Sequence, residues 1–266
     1  MLPGGLWESE TRHRSYAFEA PTGHLELAVV DGVIADAGAS VPARVSRILS
    51  TVVAQVGGLP LTLERAARLS VADRQYLIRQ LAAVLGRDEV WLTADCGACE
   101  QRFDLFVKQS ELPLQEAGAG YPFVDLEQSD GRCRLRVPNG LDQAAVVELA
   151  DAREARWTLA ERCFVEGEGA LSAPRQTEEW LAAVEEALDA EAPQVALAAR
   201  TECPECGASN DVALDPYLAL RSVSSSILDD VHSLASAYHW SEHEILSLPT
   251  ARRRLYLELL DRGVVH

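Results

Sequence analysis

Cys96-Gly97-Ala98-Cys99 and Cys203-Pro204-Glu205-Cys206 are the stretches on which the reading of this chain turns. Two cysteines separated by two residues grip one cation from a tight turn, and a tetrahedral cation needs two such pairs. Strand-like sequence flanks each pair. Val90-Trp91-Leu92-Thr93-Ala94 leads into the first, and Phe103-Asp104-Leu105-Phe106-Val107 leads out in strict alternation. Val195, Leu197 and Ala199 alternate into the second, and Val212 and Leu214 leave it. The pattern predicts a zinc-ribbon-like site in which Cys96, Cys99, Cys203 and Cys206 close one four-cysteine shell around a structural Zn2+. A filled shell has no open coordination position, so the ion would clamp the chain and not act as a Lewis acid. Glu100 follows the first pair where Gly207 follows the second, an irregularity in the first turn.

Further out, the surroundings of the two pairs recur in the same order. Phe18-Glu19-Ala20-Pro21-Thr22-Gly23 is echoed by Leu135-Arg136-Val137-Pro138-Asn139-Gly140. Pro138 follows Pro21 by 117 residues, and Cys203 follows Cys96 by 107. An internal duplication accounts for both offsets. The expected architecture is α+β: two diverged repeats of helices and short antiparallel strands, residues 1–118 and 119–215, joined through the cysteines, and a C-terminal helical unit, 216–266.

Residues 16–30 carry apolar positions at Tyr16, Phe18, Leu25, Leu27 and Val29, expected as strands or a hairpin broken at Pro21-Thr22-Gly23. From Val41 to Val56 the apolar residues Val45, Ile48, Leu49, Val52 and Val56 follow helical spacing, with Gly57-Gly58 as the stop. Ser70 caps a second helix that carries Leu77, Leu81, Val84 and Leu85 to Gly86. Residues 109–132 read as a connection, helices follow near 141–151 and 155–164, and Gly167-Glu168-Gly169 with Pro174 read as a loop. Thr177–Ala190 is the counterpart of the Ser70 helix, with Leu181, Val184 and Leu188 inward. Beyond Asp215 the pattern is helical: Ile227, Val231, Leu234 and Tyr238 form a stripe, Ser241-Glu242-His243-Glu244 is a capping box, and Pro249-Thr250 breaks the chain before a last helix.

At 266 residues and 48% apolar composition the chain is long enough for one large core or two modest ones. No signal sequence or membrane-length apolar run is present, so a soluble cytoplasmic protein is expected. Reduced cysteines in that setting favour metal over disulfides. The net charge of −17 counts against nucleic acid as the main ligand, because phosphate binding draws on clustered Lys and Arg. Arg252-Arg253-Arg254 is the one dense basic run and reads as a solvated helix face or a protein-docking point. Cys133 and Cys163 read as small buried apolar residues. His232, His239 and His243 lack the H-E-x-x-H spacing of a hydrolytic metal site, and Pro21-Thr22-Gly23 and Pro138-Asn139-Gly140 lack the Lys or repeated Gly of a phosphate cradle. No catalytic residue is assigned, and a non-enzymatic protein is expected.

Three stretches carry a likeness to a known family. They are Ala20-Pro21-Thr22-Gly23 with Leu69–Leu77; the second cysteine turn running into Asp215-Pro216-Tyr217-Leu218; and Val231–Ala235 through Tyr238-His239-Trp240-Ser241-Glu242 to Ile245–Pro249 and Arg252–Leu259. In these the chain resembles the baseplate (hub) assembly proteins of T-even-like contractile phage tails and phage-derived contractile injection systems. The resemblance implies a non-enzymatic baseplate or assembly protein with baseplate or hub subunits as partners, staying in the particle or leaving as a chaperone. It places the docking face on the C-terminal helices, at Tyr238, Trp240 and Arg252. A zinc-ribbon regulatory or nucleic-acid-binding protein is the alternative left open, and no membrane partner is expected.

Overall fold

A computed structural model describes residues 1–34, 38–128, 131–169, 171, 173–174, 177–215, 217 and 227–263. Pro216 and Leu218, part of the stretch quoted for the family likeness, lie outside the described residues. The fold is mixed α+β with small sheets. In chain order its elements are β1 (Leu6–Glu8), β2 (Thr11–His13), β3 (Tyr16–Phe18), α1 (Gly23–Ile34), α2 (Val41–Val52), β4 (Val53–Val56), β5 (Leu59–Pro60), α3 (Leu63–Arg68) and α4 (Val71–Val84). There follow β6 (Glu89–Asp95), β7 (Arg102–Lys108), β8 (Leu114–Gln115), β9 (Phe123–Gln128), β10 (Gly131–Arg136), α5 (Gly140–Val146), α6 (Ala152–Cys163), β11 (Phe164–Gly169) and α7 (Glu178–Glu191). The chain ends with β12 (Gln194–Val195), β13 (Ala198–Glu202), β14 (Ser209–Ala213), α8 (Ile227–Tyr238), α9 (Glu242–Ser247) and α10 (Thr250–Asp261).

Two compact units form, each from three stretches of chain. The first comprises Met1–Ala17, Gly38–Tyr76 and Leu114–Gln194; the second comprises Phe18–Ala37, Leu77–Pro113 and Val195–His266. In the first unit the antiparallel sheet β11-β10-β9 packs its inner face, Cys133 and Leu135, against Trp180, Leu181, Val184 and Leu188 of α7. Those four α7 residues follow helical spacing, and the Thr177 hydroxyl accepts the Trp180 amide to start the helix. Cys163 is wholly buried in the same cluster. In the second unit Val30 of α1, Ile227 of α8 and Leu246 of α9 share a small core.

One local arrangement occurs in both units. Leu69-Ser70-Val71-Ala72-Asp73-Arg74 and Leu248-Pro249-Thr250-Ala251-Arg252-Arg253 lie 179 residues apart, each between a six-residue helix (α3, α9) and the next helix (α4, α10). The hydroxyls of Thr62 and Ser241 cap α3 and α9 at matching places. Ser70 bridges to Asn139 just before α5, as Pro249 bridges to Thr22 just before α1. The two arginines are fully buried. Arg74 donates to Ser46 Oγ at 2.8 Å and to the carbonyls of Ala66 at 2.8 Å and Pro42 at 2.6 Å. Arg253 pairs with Glu26 of α1 and, at 3.2 Å, with Asp230 of α8. The helix-opening glycines make room for them. A Cβ on Gly140 would lie 2.3 Å from Arg74 Nη1, and one on Gly23 would lie 2.8 Å from Leu246 Cα and 2.9 Å from Arg253 Nη1. The Pro-x-Gly stretches are thus helix starts pinned by a buried guanidinium.

Several sequence expectations are corrected. Residues 23–34 form α1 and not a strand, because Leu25, Glu26, Val29 and Val30 are buried on one helical face, with Glu26 held by Arg253. The helix from Val41 ends at Val52. Val53-Ala54-Gln55-Val56 pairs as β4 with β5, and Gly57 and Gly58, at φ of 61° and 81°, make the hairpin turn. Residues 109–132 contain β9 and the start of β10, and Gly167–Gly169 pair with β10 in place of a loop. Charged cross-strand pairs such as Arg134–Asp125 and Arg132–Glu168 on the outer sheet face masked the strand pattern there.

Arg253→Met is expected to lower the unfolding free energy by about 3–5 kcal/mol in urea titration, because it strands the Glu26 carboxylate in the core. Arg252→Ala, one residue away and exposed, is expected to change it by less than about 0.5 kcal/mol. Equal effects would refute the buried pairing.

Candidate metal centre

β6 and β7 form an antiparallel hairpin in register from Glu89↔Lys108 to Asp95↔Arg102, and β13 and β14 form another from Ala198↔Ala213 to Glu202↔Ser209. Each hairpin closes on a cysteine turn of the same construction. The Cys96 amide donates to Gln101 O and the Glu100 amide to Cys96 O, both at 2.9 Å; Cys203 to Ala208 O and Gly207 to Cys203 O repeat the pattern at 2.9 Å. The irregular position proves to have the same backbone in both. Glu100 sits at φ 61° and Gly207 at φ 72°. The first turn therefore bears the left-handed strain of a non-glycine residue, on the order of 1 kcal/mol.

The structure brings Cys96, Cys99, Cys203 and Cys206 together within the second unit, their sulfurs all within 4.8 Å of one another. Cys96 Sγ lies 3.7 Å from Cys206 Sγ, and Cys99 Sγ lies 3.8 Å from Cys203 Sγ. Each short contact joins one turn to the other. The four can hold a metal ion, and among the described residues they are the one group of His, Cys, Asp or Glu so placed. Cys96 and Cys203 are buried against Phe103, with Ala94, Ala208 and Val212 beside them, while Cys206 is exposed.

Electrostatics prepare one thiolate and resist four. The backbone amides of Cys99 and Ala98 point at Cys96 and bring its thiol down to about 6. Cys99 goes the other way, up to about 12: the Gln101 amide favours its thiolate, but the sulfurs of Cys206, Cys96 and Cys203 together with burial outweigh it. Cys206 is raised in the same company, although the Ala208 amide and the Cys99 thiol favour its charged form. Sulfurs this close cannot all ionise alone. A bound cation reverses the balance by pairing with every thiolate.

Asn210, which the sequence pattern did not single out, links the two turns. Its Oδ1 accepts the Gly97 amide at 3.0 Å, and its Nδ2 donates to Ala208 O at 2.8 Å and faces Cys96 Sγ at 3.7 Å. Only its place four residues after Cys206, on a strand leaving the turn, hinted at this. Trp91 and Phe106, directly opposite in register, meet with rings tilted by 60° on the outer face of the first hairpin at 5.3 Å, with Trp91 71% exposed. Their alternation against Val90 and Val107 marks that face in the sequence.

The residues expected to dock a partner lie elsewhere in the second unit. Tyr238 and Trp240 are half-buried and not fully exposed, stacked at 4.9 Å, and Tyr256 of α10 meets both edge-on. The basic run is not one solvated face. Arg252 is exposed, Arg253 is buried with Glu26, and Arg254 caps α4 by donating to the carbonyls of Gly86 at 2.9 Å and Leu85 at 2.5 Å. His243 stands 5.5 Å from His24.

No protein-family model, curated protein or solved structure matches this chain. No described helix is long and apolar enough to cross a membrane.

Asn210→Ala is expected to weaken metal binding about 10–100-fold in competition with a chromophoric chelator, since it removes the group that orients both turns. Unchanged affinity would make Asn210 a mere turn residue.

Proposed function

We propose that the protein is a non-enzymatic structural or assembly subunit of the baseplate of a contractile phage tail or injection system, built around one structural zinc ion. The observation that carries the metal reading is the pair of sulfur contacts at 3.7 and 3.8 Å. Four thiolates on a tetrahedron with Zn–S bonds of about 2.3 Å stand about 3.8 Å apart. All four positions are taken by protein, so the ion closes the structure and offers no site to a substrate. Its effect is to fasten a hairpin centred near residue 98 to one centred near residue 205, within one unit. The matching backbone of the two cysteine turns supports descent of the chain from an internal duplication.

The baseplate reading rests on the resemblance of the quoted stretches, strongest from Val231 to Leu259. Baseplate or hub subunits are the proposed partners, met in the cytoplasm during assembly. Tyr238 and Trp240, together with Arg252, form the proposed contact, and an acidic chain of net charge −17 suits basic subunits. Deleting the C-terminal helices would unpair Glu26 from Arg253, so point variants make the fairer test.

Native mass spectrometry is expected to find one zinc per chain, lost in Cys96→Ser and in Cys203→Ser. Co-expression with candidate baseplate subunits is expected to give a complex that Trp240→Ala and Arg252→Glu each weaken. Well-folded, metal-free wild-type protein would remove the zinc centre; complexes indifferent to both substitutions would move the docking face.

A further inference from the structure

The first cysteine hairpin turns Phe103 and Val107 inward, where both are buried, and presents Trp91 and Phe106 on its other face, 71% and 45% exposed. Register sets the rest of that outer face. Glu89 stands opposite Lys108, Thr93 opposite Asp104 and Asp95 opposite Arg102, and all of these side chains are exposed. Its two cations are already engaged, Arg102 with Asp95 at 3.2 Å and Lys108 with Glu111 at 2.5 Å. Two of its carboxylates are not. Asp104 accepts the Thr93 hydroxyl at 2.8 Å on Oδ1, and neither Asp104 nor Glu89 has an ion pair among the described residues. Glu89 lies two residues along β6 from Trp91, and Asp104 lies two residues along β7 from Phe106. The exposed aromatic pair is therefore flanked on opposite sides by carboxylates that lack a cation.

We propose that this face docks an extended basic segment of another protein, with one Arg or Lys side chain over Trp91 and Phe106 and its neighbours two residues away on Glu89 and Asp104. The site goes beyond the contact proposed on the C-terminal helices and does not rest on the baseplate reading. Charge supplies the chemistry of the occupant. The face of an aromatic ring is negative and attracts cations, indole most strongly, and an unpaired carboxylate on each side adds a charge-assisted hydrogen bond. Spacing supplies its shape. Alternate side chains of an extended segment point to one side at steps of about 6.5–7 Å, the same step that separates Glu89 from Trp91 and Phe106 from Asp104 along their strands. A cation at every second position thus meets a carboxylate, the aromatic pair and a carboxylate in turn. Arginine suits the central place better than lysine, because its planar guanidinium stacks on indole and keeps its donors free at the edge. The net charge of −17 steers a basic segment toward the chain. A nucleic-acid strand would bring phosphates to Glu89 and Asp104 and be repelled.

The probe is a fluorescein-labelled peptide, Arg-Ser-Arg-Ser-Arg, titrated into the full-length protein. Fluorescence anisotropy is expected to show saturable binding, weakened about tenfold by Trp91→Ala and about tenfold by Glu89→Gln combined with Asp104→Asn. Trp91→Phe, which keeps a ring, is expected to lose less than Trp91→Ala. Glu186→Gln combined with Asp189→Asn removes two exposed carboxylates of α7 in the first unit, changes the net charge equally, and is expected to leave binding within about twofold. Absent binding, or wild-type binding by W91A, would overturn the proposal. Equal weakening by the two carboxylate pairs would overturn it as well, since diffuse charge would then be the whole attraction. Undiminished binding of the same peptide with citrulline for arginine would give the face to a neutral ligand, and concentration-dependent dimers abolished by Trp91→Ala would give it to a second copy. If W91A unfolds below the wild-type temperature, the carboxylate pairs and W91F decide the question. Because this face shares no residue with Tyr238, Trp240 and Arg252, its failure would leave the contact on the C-terminal helices standing.

Discussion

Convergence of four sulfurs from two turns about a hundred residues apart is the constraint on which the second unit depends. Two-stranded hairpins are barely stable alone in water. Here the first hairpin and its turn bury Cys96, Phe103 and Val107, and the second buries Cys203. A cation shared between the turns would supply what so small a core cannot. It would also offset the strain of Glu100 at a positive φ, which is minor beside the apparent binding energy of structural zinc, on the order of 10–16 kcal/mol in small peptides.

A second device is built from arginine where the first is built from cysteine. Arg74 and Arg253 are each buried beside a glycine that opens a helix, and each is fixed by groups far away in sequence. A buried guanidinium is costly unless its donors are matched, so the surroundings must be specific. The result is a pair of alike helix junctions, one in each unit. At one junction Asp73 holds the amides of Gly4 and Gly5, and at the other Arg252 is exposed.

The cysteine hairpins, the Thr177 and Ser241 caps and the α7 stripe were legible in the sequence, because turn chemistry, capping and periodicity are local. What escaped was decided by distant partners. Leu25, Leu27 and Val29 look strand-like by alternation, yet Glu26 between them is buried by Arg253, which lies 227 residues on. Val53–Val56 continues the helical spacing of α2, but β-branched residues before Gly57-Gly58 favour the hairpin. Arg252, Arg253 and Arg254 are alike in composition and differ completely in role, since one faces solvent, one is core and one caps α4. Asn210 could not be weighed before the two turns were known to touch.

The proposed centre is tested most directly by zinc-edge X-ray absorption fine structure on protein purified with its metal. Four sulfur scatterers at about 2.3 Å, with no nitrogen or oxygen in the shell, are expected. A shell containing nitrogen or oxygen, or only two sulfurs, would contradict a single ion held by Cys96, Cys99, Cys203 and Cys206.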